Sequence, residues 1–135
     1  MKKIQKLFAL ILMLLFISSC TSPAASAAFE VDGLWSLTYT VIESTKDGPK
    51  VGQISTADAV LETRGNKFSI RNTKGVEIYS GTRNGNTISV TGKEGLATLS
   101  LSGSFSTQTL FSGTGIAIHP TKGTVKYTVV MTKKQ

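Results

Sequence analysis

The hydrophobic and polar positions of this chain alternate from about Phe29 to the C-terminus, with a turn signal about every 8–12 residues. Such alternation places one face of each strand in a core and the other in water. In the first strand Trp35, Leu37, Tyr39 and Val41 share a face, and the residues between them are mainly serine and threonine. No stretch after the N-terminal region has a helical period. The pattern therefore predicts an all-β domain.

Eight strands joined by short connections are predicted. Their bounds are Leu34–Glu43, Ala57–Thr63, Lys67–Arg71, Val76–Arg83, Thr87–Thr91, Leu96–Phe105, Thr109–His119 and Thr124–Lys133. Asn84-Gly85 is a strong two-residue hairpin signal, because both residue types tolerate positive φ. A long loop, 44–56, is predicted between the first two strands.

An antiparallel set of about eight strands is expected to close into a small up-and-down β-barrel, because closure removes the exposed edges. Gly33-Leu34-Trp35, at the start of the first strand, is similar to the Gly-x-Trp motif of lipocalins and related calycin barrels. The resemblance implies a lipocalin-like architecture, with which the long first loop agrees. The chain departs from that family in being shorter, in lacking a C-terminal helix and in having no arginine on the last strand to cover Trp35, where Lys126 is the nearest cation. A two-sheet β-sandwich is the alternative fold.

The positions predicted to face inward are mostly large. They are Trp35, Leu37, Tyr39, Val41, Phe68, Ile70, Val76, Ile78, Ile88, Val90, Leu99, Leu101, Phe105, Ile116, Ile118, Val125, Tyr127, Val129 and Met131. Because side chains can just fill an eight-stranded barrel, this set predicts a packed core rather than a hollow calyx. Trp35 is predicted to lie at the base of the barrel, and Tyr79 and Phe111 are left as the aromatic candidates for the outer surface.

The N-terminus has the features of a secretory signal. A lysine-rich start precedes the apolar run 7–17, which is too short to span a bilayer comfortably. Ile17-Ser18-Ser19-Cys20 resembles the lipobox of bacterial lipoproteins, which implies cleavage before Cys20, a diacylglyceryl thioether on its sulfur and usually acylation of the new amino terminus. The expected organisation is a removed signal peptide at 1–19, a lipidated flexible tether at 20–28 and a β-barrel domain at 29–135.

Lipidation implies a membrane-anchored protein of the cell envelope. Thr21, which follows the lipidated cysteine and is not Asp, favours the outer membrane if the host is Gram-negative. Cys20 is the only cysteine, so the exported domain has no disulfide. Of the 15 Lys and Arg residues, Lys2, Lys3 and Lys6 leave with the signal, so 12 remain against 8 acidic residues, a net charge of +4. This mild charge does not indicate a nucleic-acid-binding protein.

Catalytic and cofactor signals are weak. His119 is the only histidine and is expected on the surface, because the alternation of its strand points it outward. Asp58 and Glu62 are expected to be solvated carboxylates on a strand rather than a catalytic pair in a cleft. The Gly-Thr-Gly at 113–115 lies within a strand, so it predicts a bend or close packing rather than a phosphate loop. Neither metal-ligand spacing nor a cofactor motif is found, and we expect a protein that is not an enzyme.

Lysines lie in the connections predicted at one end of the barrel. In an up-and-down barrel the first, third, fifth and seventh connections share the rim opposite the N-terminus. That rim contains Lys46, Lys50, Lys74, Lys93 and Lys122, against Asp47 and Glu94. Such a rim would attract an anionic partner, either a lipid headgroup, an acidic polysaccharide or an acidic protein face.

The predicted function is that of a non-enzymatic binding domain, anchored in the envelope through Cys20, for a small apolar ligand or an anionic envelope component. One alternative is a protein-directed module, such as an inhibitor of a lysozyme or protease of the envelope. The other is a structural or assembly lipoprotein. The sequence itself does not choose among the three.

Overall fold

A computed structural model describes residues 28–45 and 47–135 of the protein. This part of the chain forms eight antiparallel strands. The strands are β1 (Gly33–Ser44), β2 (Ile54–Arg64), β3 (Lys67–Asn72), β4 (Glu77–Asn84), β5 (Thr87–Glu94), β6 (Ala97–Thr107), β7 (Leu110–His119) and β8 (Gly123–Lys133). All eight predicted strands are present, and most extend one to three residues further than the alternation predicted. The predicted signal peptide, Cys20 and Lys46 lie outside the described residues.

The strands close into an up-and-down barrel in chain order. β1 pairs along one edge with β2 and along the other with β8, so that Trp35 lies between Ala59 and Lys133. The prediction of a closed eight-stranded barrel is confirmed, and the alternative β-sandwich is wrong. Closure within residues 28–135 means that every strand of the sheet has two partners in this segment.

Tight hairpins connect most of the strands. Asn84 pairs with Thr87, so the turn residues are Gly85 and Asn86 rather than the predicted Asn84 and Gly85. Gly85 has a φ of 60° and no described residue other than glycine has a positive φ, so only the first central position is left-handed. This is the arrangement of a type II′ turn, in which glycine is favoured at that position.

Aromatic side chains pack the half of the barrel nearest the N-terminus, here called the closed end. The ring centroids of Trp35 and Phe105 are 5.5 Å apart, and Phe105 also lies 6.1 Å from Phe68 and 5.1 Å from Phe111. The indole Nε1 of Trp35 donates a 2.7 Å hydrogen bond to the carbonyl of Val31, which lies beneath the barrel. Trp35 is fully buried, so its predicted burial at the base is confirmed.

The inner face of β7 differs from the prediction. The structure buries Phe111 and directs Gly115 and Ala117 inward, whereas Ile118 is exposed and Ile116 lines a groove on the outer face. Apolar residues occur on both faces of this strand, so alternation alone could not assign them. The aromatic cluster at the closed end determines which face of β7 points inward, because it buries the ring of Phe111 fully.

A second difference lies at the start of β4. A β-bulge shifts the register between Ile70 and Arg71, so that Ile70 pairs with Tyr79 and Arg71 with Glu77. Tyr79 is consequently buried, Ile78 is partly buried against the core, and Val76 is exposed. The predicted inward position of Val76 and the predicted outer positions of Tyr79 and Phe111 are therefore wrong.

Candidate functional site

A cavity of about 620 Å³ occupies the opposite half of the barrel, here called the open end. Its lining comes from all eight strands and from Pro49 in the connection between β1 and β2. The lining residues are Tyr39, Val41, Pro49, Ser55, Ala57, Asn72, Ile78, Tyr79, Glu94, Leu99, Ala117, Val125 and Tyr127. The predicted packed interior is thus correct only for the closed end.

Small side chains explain why this half is hollow. Ser55 and Ala57 of β2 and Ala117 of β7 line the cavity where larger side chains would fill it. A Cβ on Gly115 would lie 2.2 Å from the ring of Tyr127, so glycine lets that ring lie against β7. The Gly-Thr-Gly at 113–115 therefore serves close packing, as predicted. The inward positions of β7 at this level are Gly115 and Ala117 rather than the two isoleucines expected inside; the ring of Tyr127 occupies the space beside Gly115, and the small side chain of Ala117 leaves space for the cavity.

All three tyrosines of the chain line the cavity. The hydroxyls of Tyr79 and Tyr127 are hydrogen-bonded to each other at 3.0 Å. The ring of Tyr39 packs edge-on against that of Tyr127, with centroids 5.5 Å apart. The side chains therefore present aromatic surface with polar groups at fixed places in an otherwise mainly apolar lining.

Burial raises the pKa of all three phenols above the usual value of 10.0, to about 12 for Tyr39. For Tyr79 the hydrogen bond to Tyr127 raises the pKa further. The negative charge of Glu94 adds a smaller increase to the pKa at each phenol. The tyrosines are consequently neutral near pH 7, where their hydroxyls can donate or accept a hydrogen bond.

Hydrogen bonds tie the connections around the mouth of the cavity into a fixed shape. Thr45 Oγ1 donates to the carbonyl of Lys122, which joins the first connection to the last. The side-chain oxygen of Asn72 accepts from the backbone N–H groups of Lys74 and Val76. These bonds hold the first, third and seventh connections in place and give the mouth a preformed shape.

The side chain of Arg83 is buried at the closed end, where it joins several elements. Its guanidinium donates hydrogen bonds to the carbonyls of Gly85 and Phe29 and to the hydroxyl of Thr63, and its central carbon lies 5.4 Å from the ring centre of Phe105. It is the one buried charged side chain among the described residues. The cation over the aromatic cluster is thus Arg83 of β4, and the predicted candidate Lys126 lies instead at the open end, where it pairs with Glu43 at 3.1 Å.

The topology places the predicted lysines at the open end. Lys50, Lys74 and Lys122 lie in connections at this end, opposite the N-terminus, whereas Lys93, which was predicted in the connection after β5, lies near the end of β5 at the same end of the barrel. None of these four lysines forms an ion pair within the described part of the chain. Cys20 and Lys46 cannot be placed, since both lie outside it.

The residues considered for catalysis have other contacts. The Nδ1 atom of His119 accepts hydrogen bonds of 3.1 Å from the backbone N–H groups of Thr121 and Lys122, so this side chain stabilises the β7–β8 turn. Asp58 pairs with Lys134 at 2.7 Å, and Glu62 contacts Arg64. Within residues 28–45 and 47–135, no group of three or more His, Cys, Asp or Glu side chains is arranged to hold a metal ion. The same residues contain no helix of the length and apolarity needed to cross a membrane.

Comparison with known proteins supports the fold alone. No protein-family model and no curated protein matches the chain. Among solved structures, the barrel is similar to EF1p2_mFAP2b bound to DFHBI, with a TM-score of 0.54 and 14% sequence identity, over 77% of this chain and 94% of that one. It is also similar to a redesigned β-barrel, b11L5F_LGL, with a TM-score of 0.51 and 19% identity, over 78% and 92% of the two chains. The comparisons therefore support the architecture of a closed β-barrel.

Proposed function

We propose that this protein is a lipid-anchored lipoprotein of the cell envelope whose barrel binds a small, mainly apolar ligand without catalysing a reaction. The cavity at the open end is the observation that carries the proposal. Its volume of about 620 Å³ lies within the range of about 300–1,000 Å³ that is typical of small-molecule sites. Its lining is mainly apolar, with a few polar groups at fixed positions, as in such sites.

The tyrosines indicate which ligands would fit. Tyr39 and Tyr127 offer ring edges and faces to an aromatic or alicyclic body, and the paired hydroxyls of Tyr79 and Tyr127 can exchange their mutual bond for one to a polar group of the ligand. Glu94 lies at the mouth and disfavours a second negative charge there. We therefore propose a neutral or cationic ligand with an apolar body. The structural neighbour solved with DFHBI supports such a use of this fold.

A direct test uses N-phenyl-1-naphthylamine, a neutral aromatic probe whose fluorescence rises in apolar surroundings. We expect the protein to bind it in the cavity. Ala117→Phe should weaken binding about tenfold or more, a loss of about 1.4 kcal/mol or more, because the added ring occupies the cavity. Ile116→Phe is the matched control, because it adds a ring on the outer face of the same strand and should leave the affinity unchanged.

Equal affinities of the two variants, with both shown by thermal unfolding to be folded, would contradict binding in the cavity. Mass spectrometry of the protein extracted from its host membrane provides a second test. It should reveal an apolar compound bound to the wild-type protein and depleted in Ala117→Phe.

The lipid anchor is tested separately at Cys20. In a bacterial host, Cys20→Ser should leave an uncleaved precursor that radiolabelled palmitate does not mark, whereas the wild-type protein is labelled and remains with the membranes. The wild-type protein should remain with the membranes because each buried methylene contributes about 0.8 kcal/mol, so that the acyl chains together contribute far more than surface charges do. A wild-type protein that is soluble and unlabelled would show that the proposed anchor is wrong.

A further inference from the structure

The open end of the barrel combines exposed apolar side chains with lysines. Each of its four connections has a large apolar residue in or beside it, together with one of the four lysines described above. The pairs are Val51 with Lys50, Val76 with Lys74, Leu96 with Lys93 and Ile118 with Lys122. These eight residues are here called the docking rim.

Exposure of large apolar residues is concentrated at this end. Five of the described residues of this kind have more than half of their surface exposed, and all five lie at the open end. They are the four apolar members of the docking rim and Ile54, with exposures from 53% to 73%. At the closed end, Leu34 and Leu110 are exposed by 40% and 37%. Single exposed apolar residues are ordinary, but a ring of them around the mouth of a cavity marks an interaction surface.

The charge of this surface is positive. Glu43 and Glu77, which also lie at the open end, pair with Lys126 and Arg71. Asp47 and Glu94 are then the acidic groups that offset the four lysines of the docking rim. The uncompensated charge favours an anionic partner.

We propose that the docking rim binds the surface of an anionic lipid bilayer. A bilayer is a broad, deformable surface that all four connections can contact at once, although they surround an open mouth. Apolar tips enter the boundary between headgroups and acyl chains, and lysines beside them contact the anionic headgroups. An acidic polysaccharide would use the lysines and leave the apolar tips in water.

Docking in this orientation places the mouth of the cavity against a bilayer that lies on the opposite side of the barrel from the N-terminus. The inference does not depend on a ligand in the cavity, because the apolar tips and lysines lie outside it. Lipid binding and probe binding can therefore fail independently of one another.

The test uses residues 28–135, which contain the complete closed barrel and lack the proposed anchor. Flotation with vesicles of equal parts phosphatidylglycerol and phosphatidylcholine should recover the protein with the lipid. Vesicles of pure phosphatidylcholine should bind at least about 25-fold more weakly, because each lysine near an anionic surface contributes about fivefold in affinity. Raising the salt concentration should weaken the binding to the anionic vesicles.

Two pairs of variants separate the contributions of charge and apolar contact. Lys74→Gln with Lys93→Gln should lower the affinity about 25-fold and reduce its dependence on salt. Val76→Ser with Leu96→Ser should lower it about tenfold or more with no change in charge, because the apolar side chains no longer enter the bilayer.

Matched controls lie at the closed end. Lys67→Gln with Lys133→Gln removes the same charge, and Leu110→Ser removes an apolar side chain outside the docking rim. Both controls should bind within about twofold of the wild type. Circular dichroism of every variant should match that of the wild type, so that a loss of binding is not a loss of fold.

Three outcomes would overturn the proposal. One is the absence of binding to the anionic vesicles. Another is an equal loss of binding in the control variants, which would indicate net charge alone. The third is retained binding when Val76 and Leu96 are both serine, which would favour an acidic polymer or protein over a bilayer.

Discussion

Trp35→Ala is expected to lower the free energy of unfolding by about 3–5 kcal/mol. Trp35 is fully buried, lies edge-on to Phe105 and donates its indole N–H to the carbonyl of Val31. Alanine would leave a cavity in the packed half of the barrel and an unpaired buried carbonyl. The described domain has no disulfide, so its free energy of unfolding depends on burial and on its hydrogen-bonded sheet, and a loss of this size is a large part of it.

Urea unfolding followed by circular dichroism measures this loss of stability. Two further variants separate the contribution of the hydrogen bond and provide a comparison on the outer face. Trp35→Phe retains an aromatic ring but loses the hydrogen bond to Val31, so we expect the free energy of unfolding to fall by about 1–3 kcal/mol. Leu34→Ala changes the adjacent residue on the outer face and should cost about 0.5 kcal/mol. A loss below about 1 kcal/mol for Trp35→Ala would be incompatible with the buried position at the closed end.

The sequence predicts the strands well because alternation and turns are local signals. β1 and β8 illustrate this, since most of their apolar residues occupy one face and hydroxyl-bearing residues predominate on the other, with Leu34, Ile42 and Val130 as the exceptions. β7 has Phe111 and Ala117 on one face and Ile116 and Ile118 on the other, so both registers bury apolar surface. The choice depends on the aromatic cluster at the closed end, which brings together residues from distant parts of the chain.

The cavity could not be predicted by the same route. It depends on which residues from different strands lie at one level of the barrel, and Ser55, Ala57 and Ala117 are unremarkable in their own segments. Once the register of β7 is known, small residues at this level indicate a hollow, and the inward tyrosines indicate its polarity. The number of large inward residues, by contrast, is a property of the whole barrel, so it does not distinguish the packed closed end from the hollow open end.

The role of Arg83 also lacks a local signal. It lies near the end of β4, two residues before the turn residue Gly85, where arginine is usually solvated, and only the closed barrel brings Thr63 and the carbonyl of Phe29 within its reach. The positions of the rim lysines were easier to predict, because strand order alone decides the end at which each connection lies. The apolar residues beside them became informative only when their exposure was known.

Alkaline pH is expected to destabilise the barrel through the tyrosines of the cavity. Burial raises the pKa of Tyr39 to about 12, whereas the unfolded phenol keeps a value near 10.0. The folded state therefore retains protons that the unfolded state loses, and stability falls as pH rises from about 10 through 12. For Tyr39 alone this loss approaches about 3 kcal/mol at the upper end of that window. The raised pKa values of Tyr79 and Tyr127 act in the same direction.

Absorbance at 295 nm, which reports tyrosinate, should show the phenols of the folded protein titrating above pH 10, and urea unfolding should show the parallel loss of stability. Tyr39→Phe is the matched variant, because it keeps the ring against Tyr127 and removes the titrating group. Its stability near pH 8 should be close to that of the wild type, and its decline above pH 10 should be smaller.

The double change Tyr79→Phe with Tyr127→Phe removes both members of the hydrogen-bonded pair, so that neither hydroxyl is left unpartnered in the cavity. Phenols that titrate near pH 10 in the folded protein, with the same alkaline decline in all variants, would show that the tyrosines are solvated and do not cause the decline.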